Sequence, residues 1–422
     1  MELHRPDPIR RTNADPQGRL VLRGGLLAGG ESADVAVDRG SGLISDVGFV
    51  AAREGDVDED CRGKVILPAG VEAHAHLDKA FLSADTPVPA DLDAGVAEWF
   101  ARVGDLTHES FVERATQTIE ALVVHGTTTI RTHVDIASLH GLRGVHALIE
   151  VRDRIHARGL ADIELVGLAA PLGGSSGEPV RRLLAEAIDV GIDVVGASPD
   201  IAGDPIGATT DVVNAAVRSG LPMDVHTDQT VDPALFYLPE LIRQVRSHGL
   251  TGVVASHCVS LASQPIDVQR RIADELAEAG IAVFTMPLSS LFLFGWEKLE
   301  CPPRGVTAIN TLRDAGVIVA AGADNVQDPF FPYGRCDPFE TAGVLALVAH
   351  LTADQAWDMV SGAARDAMGR ESVTVSVGSR ADLVAIEGTN LTNALSMASE
   401  ERTVLHRGRI VARTSTRRSL LA

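Results

Sequence analysis

Short apolar runs alternate with amphipathic stretches along most of the chain. Helical patterns, with apolar residues recurring every three or four positions, cover residues 109–125, 141–158, 179–190, 211–219, 239–248, 267–279 and 306–314. Eight strand-like runs lie before and between them, at Val65–Glu72, Thr127–Val134, Ile163–Ala169, Asp193–Ala197, Met223–His226, Gly252–Ser256, Ala282–Met286 and Val317–Ala323. This alternation favours a (β/α)8 TIM barrel of the α/β class over a doubly wound sheet.

The two ends of the chain have a different pattern. Short alternating runs broken by glycine occupy residues 20–48, and similar runs return at 381–388 and 403–413. Such runs are typical of small antiparallel strands joined by turns. Residues 1–68 and 373–422 are therefore predicted to form one small β-sandwich domain, with the barrel at 69–372 inserted between them. Residues 1–18 are polar and are expected to be disordered or loosely docked.

The charge composition indicates which kinds of binding partner to exclude. The chain has 422 residues with 37 basic and 57 acidic side chains, which argues against nucleic acid or an anionic membrane. No run approaches the roughly 20 apolar residues of a membrane span, and the N-terminus lacks the apolar core of a signal peptide. We expect a cytoplasmic homo-oligomer that acts on a small-molecule substrate and keeps its four scattered cysteines reduced.

The stretch VEAHAHLDKAF at residues 71–81 is the strongest candidate for chemistry. His74 and His76 are two residues apart in a strand-like segment, so their side chains point to the same face. Two imidazoles on one face can bind a divalent cation, although this spacing also occurs by chance. Further polar candidates lie at the ends of other apolar runs, namely His133, His226, His257 and Asp324. Because barrel enzymes place their chemistry at the C-terminal ends of strands, these residues predict one shared site.

Five motifs in this order resemble the amidohydrolase superfamily, in the branch that holds cytosine deaminase and N-isopropylammelide amidohydrolase. They are VEAHAHLDKAF (71–81), RTHVD (131–135), DVHTDQ (224–229), ASHC (255–258) and GADNVQDPFFPYG (322–334). The resemblance covers nearly the whole chain, and it includes the small domain built from both termini. It implies a hydrolase that attacks its substrate with a metal-activated water.

This resemblance implies four metal ligands, His74, His76, His226 and Asp324. Neutral imidazoles and a carboxylate suit Zn²⁺ or Fe²⁺ and leave an open position for water. Asp324 would also accept the proton of the water, and His257 would stabilise the hydroxide or shuttle a proton. Binuclear members carry a carboxylated lysine after the fourth strand; residues 193–200 contain no lysine, so we expect one metal. His133 is expected to support the ligands, oriented by Asp135.

The residues expected to contact the substrate depart from the family pattern. Lys79 is either a solvated loop lysine or a cation at the pocket mouth, as in the ammelide-hydrolysing relatives. Gln229 takes the place of a glutamate that moves protons in the deaminases, and an amide cannot do so at neutral pH. Leu172 replaces a glutamine that contacts the pyrimidine edge in cytosine deaminases, and Asn325 replaces a second aspartate. Together these differences argue against cytosine as the substrate.

The stretch MPLSSLFLFGW at residues 286–296 is predicted to be an apolar loop after the seventh strand. It either packs in the core or at a subunit interface, or it forms an aromatic lid over the substrate. The lid would consist of Phe292, Phe294 and Trp296. The opposite wall would come from aromatic residues beyond the metal aspartate, namely Phe330, Phe331 and Tyr333.

The leading hypothesis is a mononuclear metal hydrolase that releases ammonia or an amine from a C–N bond of a small nitrogen heterocycle. A first alternative is a cyclic amide or lactam hydrolase of the same fold. A second alternative is a binding protein that retains its metal but is catalytically impaired. The presence of Gln229 in place of the glutamate supports this alternative. Gln229 is also compatible with a substrate whose leaving group needs less help, with a proton role for Asp228 or His257, or with an engineered change from glutamate.

Overall fold

The computed structural model describes residues 18–83, 88–296, 298, 300–416 and 419–420. The N-terminal segment expected to be loosely docked therefore lies outside the described residues except for residue 18. The chain divides into two compact units. The first comprises the described residues up to Pro68, Val373–Ala394 and the described residues from Ser399 onward. The second comprises Ala69–Ser372 and Leu395–Ala398.

The first unit contains a mixed eight-stranded sheet built from both ends of the chain. Its strands are β1 (Arg19–Leu26), β2 (Ser32–Asp38), β3 (Ile44–Gly48), β4 (Val57–Asp60), β5 (Lys64–Pro68), β14 (Leu383–Glu387), β15 (Arg402–His406) and β16 (Arg409–Thr414). They follow the order β16-β15-β14-β5-β1-β2-β3, with β4 paired to β1. Most pairs are antiparallel as the alternating pattern predicts, but β1 pairs parallel with β4 and β5.

The second unit contains an eight-stranded parallel barrel, which confirms the predicted fold class. Its strands are β6 (Gly70–Ala75), β7 (Thr127–Ile136), β8 (Asp162–Ala169), β9 (Val194–Ala197), β10 (Met223–Thr227), β11 (Val253–His257), β12 (Ala282–Thr285) and β13 (Val319–Ala321). Neighbours in sequence are neighbours in the sheet. A parallel bridge between Ala75 and Asp324 joins the last strand region to the first. The strands are buried on both faces, as expected for a parallel sheet covered by helices.

Of the described α-helices, the first nine connect the barrel strands, the next three follow β13, and the last lies between β14 and β15. They are α1 (Leu92–Val103), α2 (His108–Val124), α3 (Arg143–Arg158), α4 (Glu178–Val190), α5 (Pro205–Ser219), α6 (Leu238–His248), α7 (Ile266–Ala279), α8 (Pro287–Leu293), α9 (Ile309–Asp314), α10 (Pro338–Ala349), α11 (Ala353–Met359), α12 (Gly362–Ala367) and α13 (Leu391–Met397). Among the described residues, no helix combines the length and apolar character needed to cross a membrane.

Three element predictions differ from the structure. The run Val65–Glu72 is wrong as a single strand, because its first half pairs with β14 and its second half belongs to β6 and pairs with β7. Helix α5 begins at Pro205, well before the predicted 211, because Asp204 caps it by accepting from the Gly207 N–H. The apolar stretch after β12 contains the short helix α8 where a loop was predicted.

Candidate metal centre and active site

The barrel closes at the predicted metal ligands. The His76 N–H donates to the Asp324 carbonyl over 3.1 Å, and the Asp324 N–H donates to the His74 carbonyl over 2.8 Å. Glu72 supports the same junction, because its carboxylate accepts from the N–H groups of His74 and Ala323. Main-chain pairing therefore fixes both histidines and the aspartate relative to one another.

The side chains of the candidate ligands converge inside the barrel mouth. His76 Nε2 lies 3.3 Å from Asp324 Oδ1 and 3.3 Å from His226 Nε2, and His74 Nε2 lies 3.6 Å from Asp324 Oδ1. Two overlapping groups have ligand atoms within 4.8 Å of one another: His74, His76 and Asp324, and His74, His133 and His226. The structure thus brings the four predicted ligands together, and it places a ring nitrogen of His133 within the same distance of His74 and His226.

The donor set fits a divalent metal. His74 Nε2 is buried and has no hydrogen-bond partner among the described residues, so its lone pair faces the cluster unused. Burial, together with the neighbouring basic groups, holds the pKa values of His74, His76 and His226 well below their ordinary range. The imidazoles are therefore neutral at physiological pH, which is the form that binds metal.

A buried chain of hydrogen bonds sets the tautomer of His74. The Ser256 hydroxyl donates to Asp224 Oδ1 over 2.6 Å and lies 3.1 Å from His74 Nδ1. Because its only proton goes to the carboxylate, Ser256 accepts from His74 Nδ1–H, which leaves Nε2 as the free donor atom. Asp224 is held in turn by Arg131, whose guanidinium also pairs with Glu164 over 2.6 Å.

His257 lies at the end of β11 and faces the ligand cluster. Its ring centroid is 5.2 Å from that of His74 and 4.9 Å from that of His226. Neither ring nitrogen has a hydrogen-bond partner among the described residues. Burial lowers the pKa of His257 to about 4, so the ring is neutral and able to accept a proton. Asp324 is buried as well, and the Ser289 hydroxyl donates to its Oδ2.

Lys79 is buried, so the alternative of a solvated loop lysine is wrong. Its Nζ lies 3.1 Å from Asp135 Oδ1 and 3.2 Å from His76 Nδ1. It also lies 4.9 Å from the ring centroid of Trp99. Burial lowers the pKa of Lys79, but Asp135 and Asp78 outweigh this effect and raise it above its ordinary value. Lys79 therefore presents a cation to the cavity.

A cavity of about 80 Å³ adjoins the cluster. Its polar wall contains His76, Lys79, His226, Gln229, Asp324 and Asn325. Its apolar wall contains Trp99 and Phe100 of α1, Leu293 of α8 and Phe330. The role of α1 in this site was not predictable from the sequence, because its apolar positions have the spacing of any amphipathic helix. A flat ring would find one apolar face and several polar groups here.

Two amide side chains reach this cavity. The Gln229 N–H donates to Asp200 Oδ2 over 2.9 Å, and its Nε2 lies 3.3 Å from the same oxygen. Asn325 Nδ2 donates to Asp328 Oδ2 over 2.8 Å. Asp228, considered as a replacement for the missing glutamate, is turned towards the start of α6 and accepts from the N–H groups of Tyr237 and Leu238.

Three predicted substrate contacts lie away from this cavity wall. Leu172 is buried in the core and does not line the cavity. Phe292 packs against Trp296 at a ring-centroid distance of 5.6 Å, and Trp296 is half exposed beside a neighbouring cavity that Gln229 and Leu293 share. The predicted opposite wall needs correction, since Phe331 and Tyr333 pack on the same side as Phe292, at 5.6 and 5.8 Å. Phe330 is the member of the predicted wall that lines the cavity.

Comparison with known proteins agrees with this arrangement. The amidohydrolase family model matches residues 99–412, well over half of the chain. Pterin deaminase from Rhizobium rhizogenes is 29% identical over 395 residues, covering 90% of this chain and 88% of that protein.

Solved structures show the same likeness. The structure of 5-methylcytosine deaminase from Klebsiella pneumoniae liganded with phosphonocytosine has a TM-score of 0.85 at 25% identity, covering 96% of this chain and 100% of that chain. N-isopropylammelide isopropylaminohydrolase from Burkholderia multivorans has a TM-score of 0.82 at 26% identity, covering 94% and 99%. The chain therefore belongs to the amidohydrolase family, and the predicted enzyme class, a deaminase-like hydrolase of C–N bonds, is confirmed.

Proposed function

We propose that the protein is a metal-dependent hydrolase that releases ammonia or an amine from a small nitrogen heterocycle. The observation that carries this proposal is the convergence of three neutral imidazoles and one carboxylate on a cavity with an apolar wall. Relatives whose names describe deamination of pterin and 5-methylcytosine, or amine release from N-isopropylammelide, support the same reaction class.

The proposal assigns one Zn²⁺ or Fe²⁺ to His74, His76, His226 and Asp324. A divalent cation held there would supply Lewis acidity, which makes water nucleophilic at neutral pH. His74, His226 and Asp324 can each offer a lone pair without losing a proton, whereas His76, whose Nδ1 faces the Lys79 ammonium, offers its Nε2 lone pair once the hydrogen on that atom is lost or moved. His133, packed on His74 with ring centroids 3.9 Å apart, is assigned to support the ligands.

The polar groups around the proposed metal are assigned either to proton transfer or to substrate binding. Neither ring nitrogen of His257 has a hydrogen-bond partner in the described part of the chain, and the ring lies beside the cluster, so it can hold the proton that the attacking water loses and pass it on. Asp324 can take the same proton through its carboxylate. Lys79 offers ammonium hydrogens to a carbonyl or anionic oxygen of the substrate, and Gln229 and Asn325 offer hydrogen bonds to the ring.

Gln229 also supports a second candidate, a protein that keeps its metal and binds the substrate without turning it over. Its amide carries no titratable proton at the position where the deaminase branch has a glutamate. Asp228 does not replace that glutamate, because its carboxylate accepts hydrogen bonds from N–H groups at the N-terminus of α6. This candidate predicts tight binding of heterocycles with negligible release of ammonia.

A substrate panel separates these functions. Metal-loaded protein is assayed with aminated pteridines, pyrimidines and triazines, N-alkylated aminotriazines and cyclic amides, while ammonia, amine and ring opening are followed separately. Release of ammonia or amine is expected for at least one ring class. Ring opening without amine release would replace the proposal with a lactam hydrolase. Binding without any turnover would favour the silent binding protein. Chelator-treated protein is the control for metal dependence.

A further inference from the structure

Two carboxylates hold the amide groups that line the cavity. Asp200 contacts both the N–H and Nε2 of Gln229, and Ser198 Oγ lies 3.3 Å from the same Nε2. Asp328 holds Asn325 in the same manner, by accepting from its Nδ2. Asp200 and Asp328 are outside the set of candidate metal ligands, and the proposed proton transfers do not use them.

These contacts decide which end of Gln229 faces the substrate. The Ser198 hydroxyl donates to Asp200 Oδ1 over 2.9 Å, so only its lone pairs remain for Gln229 Nε2. Both oxygens of Asp200 likewise accept, Oδ1 from Ser198 and Oδ2 from Gln229. An amide surrounded by acceptors must turn its NH₂ group towards them. The carbonyl oxygen of Gln229 is consequently the end left for the cavity that this residue lines with His226 and Asp324.

We infer that Asp200 is a positioning residue: it fixes Gln229 as a hydrogen-bond acceptor, and the site thereby selects rings that present an N–H in lactam form. Asn325, whose NH₂ group is engaged by Asp328, supplies a second acceptor on the same cavity. Lys79 supplies the donor for a ring carbonyl oxygen. The substrate class is a heterocycle with ring N–H beside C=O. This inference rests on the proposed function, because it concerns how the substrate of that reaction is held.

A ring that lacks the N–H would bind more weakly, because it would leave the carbonyl oxygen of Gln229 without a hydrogen-bond donor. A ring nitrogen with a lone pair would face the carbonyl oxygen of Gln229, and neither atom would gain a hydrogen bond to replace the one it had to water. Sites built to bond an N–H reject analogues that lack it much more strongly than apolar pockets reject an extra methyl group. We expect a preference of about ten-fold or more for the lactam form.

The test uses matched ligand pairs from the pteridine, pyrimidine and triazine classes. Each pair consists of a lactam with a ring N–H and its O-methyl counterpart, in which that nitrogen carries a lone pair. Dissociation constants are measured by calorimetry with metal-loaded wild type and Asp200→Asn. The asparagine NH₂ can donate to the carbonyl oxygen of Gln229, so the amide is free to turn over. The ratio between the paired dissociation constants should fall from about ten-fold or more towards unity.

A purely structural role of Asp200 would weaken both members of a pair equally and leave their ratio unchanged. Asp204→Asn is the matched control, since Asp204 caps α5 from the same loop without contacting Gln229. It should preserve the ratio. Gln229→Met removes the acceptor at similar size and should weaken the lactam alone, which keeps the test valid if Asp200→Asn does not fold.

Each outcome decides one of the two proposals. An unchanged ratio in both Asp200→Asn and Gln229→Met, with binding intact, overturns the positioning role. A wild type that binds both members of every pair equally overturns the lactam selectivity. Wild-type protein with a full metal complement that binds no member of any class overturns the proposed function itself.

Discussion

At the scale of single residues, the proton of the Ser256 hydroxyl determines which ring nitrogen of His74 is free to bind a metal. The Ser256 hydroxyl has a single hydrogen, and Asp224 takes it over 2.6 Å. The imidazole must then carry its own hydrogen on Nδ1, and Nε2 is left to point at the cluster. Ser256 is visible in the motif ASHC, but nothing in its spacing shows that it contacts a histidine 182 positions earlier.

Ser256→Ala removes the acceptor that orients His74. We expect metal affinity to fall by about 10–100-fold, the range typical of lost support to a metal-bound histidine. The measurement is competition with a chelator of known affinity. Thr209→Val is a control, because it removes a buried hydroxyl that bonds to the Pro205 carbonyl of its own helix. Equal affinity of wild type and Ser256→Ala would show that this contact does not set the tautomer.

His257→Asn tests the assignment of His257 to proton transfer. Its ring is neutral because burial lowers its pKa to about 4, so it can accept a proton across the physiological range. We expect turnover to fall by a factor of roughly hundreds, on the scale of a general acid–base group, while metal content stays near that of wild type. Turnover is compared with metal content in the same preparations. Loss of metal would mean that His257 is a ligand.

Gln229→Glu should restore the titratable group of the deaminase branch. If the protein is a diverged or disabled deaminase, amine release should rise by about 100-fold or more at unchanged metal content. If it is already a competent hydrolase, activity on its substrate should fall, because Asp200 then faces a second carboxylate in place of an amide. Paired assays of both proteins on one panel distinguish these outcomes. No change on any bound substrate would place Gln229 outside the reaction.

At the scale of elements, the sequence predicted the ends of the barrel strands well. Histidines and an aspartate in or just after otherwise apolar strands stand out, because barrel enzymes place their chemistry at the C-terminal ends of strands. The groups that hold them were not predictable. Arg131, Glu164 and Asp224 lie on three different strands and become partners only when the barrel forms. Helix α1, which brings Trp99 and Phe100 to the cavity, has an unremarkable amphipathic pattern.

Asp228 belongs to this scale, because it anchors an element. Its two carboxylate oxygens accept from the Tyr237 and Leu238 N–H groups at the start of α6. Asp228→Ala would leave these donors without that partner, and we expect the free energy of unfolding to fall by about 2 kcal/mol. Denaturant unfolding measures it. Asp204→Ala, which removes a more exposed cap on α5, should cost about 1 kcal/mol. If Asp228→Ala left the free energy of unfolding unchanged, the carboxylate of Asp228 would not be needed to anchor α6.

At the scale of the whole molecule, the barrel closes where the proposed metal binds. Hydrogen bonds between Asp324 and the segment from His74 to His76 complete the ring of strands. The eight-stranded barrel was predictable from the alternation of patterns, but the hydrogen bonds that close it at Asp324 were not, because sequence periodicity carries no information on individual strand pairings. The same limit applies to the run Val65–Glu72, whose two halves pair with different strands.

Metal binding at the closure should therefore stabilise the folded chain as well as enable turnover. A ligand that binds only the folded state adds about 2.7 kcal/mol at a concentration 100 times its dissociation constant. We expect chelator-treated protein to unfold several degrees below metal-loaded protein and to lose turnover, with both restored by Zn²⁺ or Fe²⁺. Restoration should saturate at about one equivalent per chain, since four protein ligands and an open position complete one site.

Differential scanning calorimetry and elemental analysis of the same samples test this expectation. His74→Ala and Asp324→Ala are the matched variants, because each removes one proposed ligand from one side of the closure. Neither should show a metal-dependent shift in Tm. Two equivalents of metal in the wild type would contradict a mononuclear centre. A metal-dependent shift that survives in both variants would place the metal elsewhere in the chain, whereas its loss in both would tie stability and chemistry to the same four side chains.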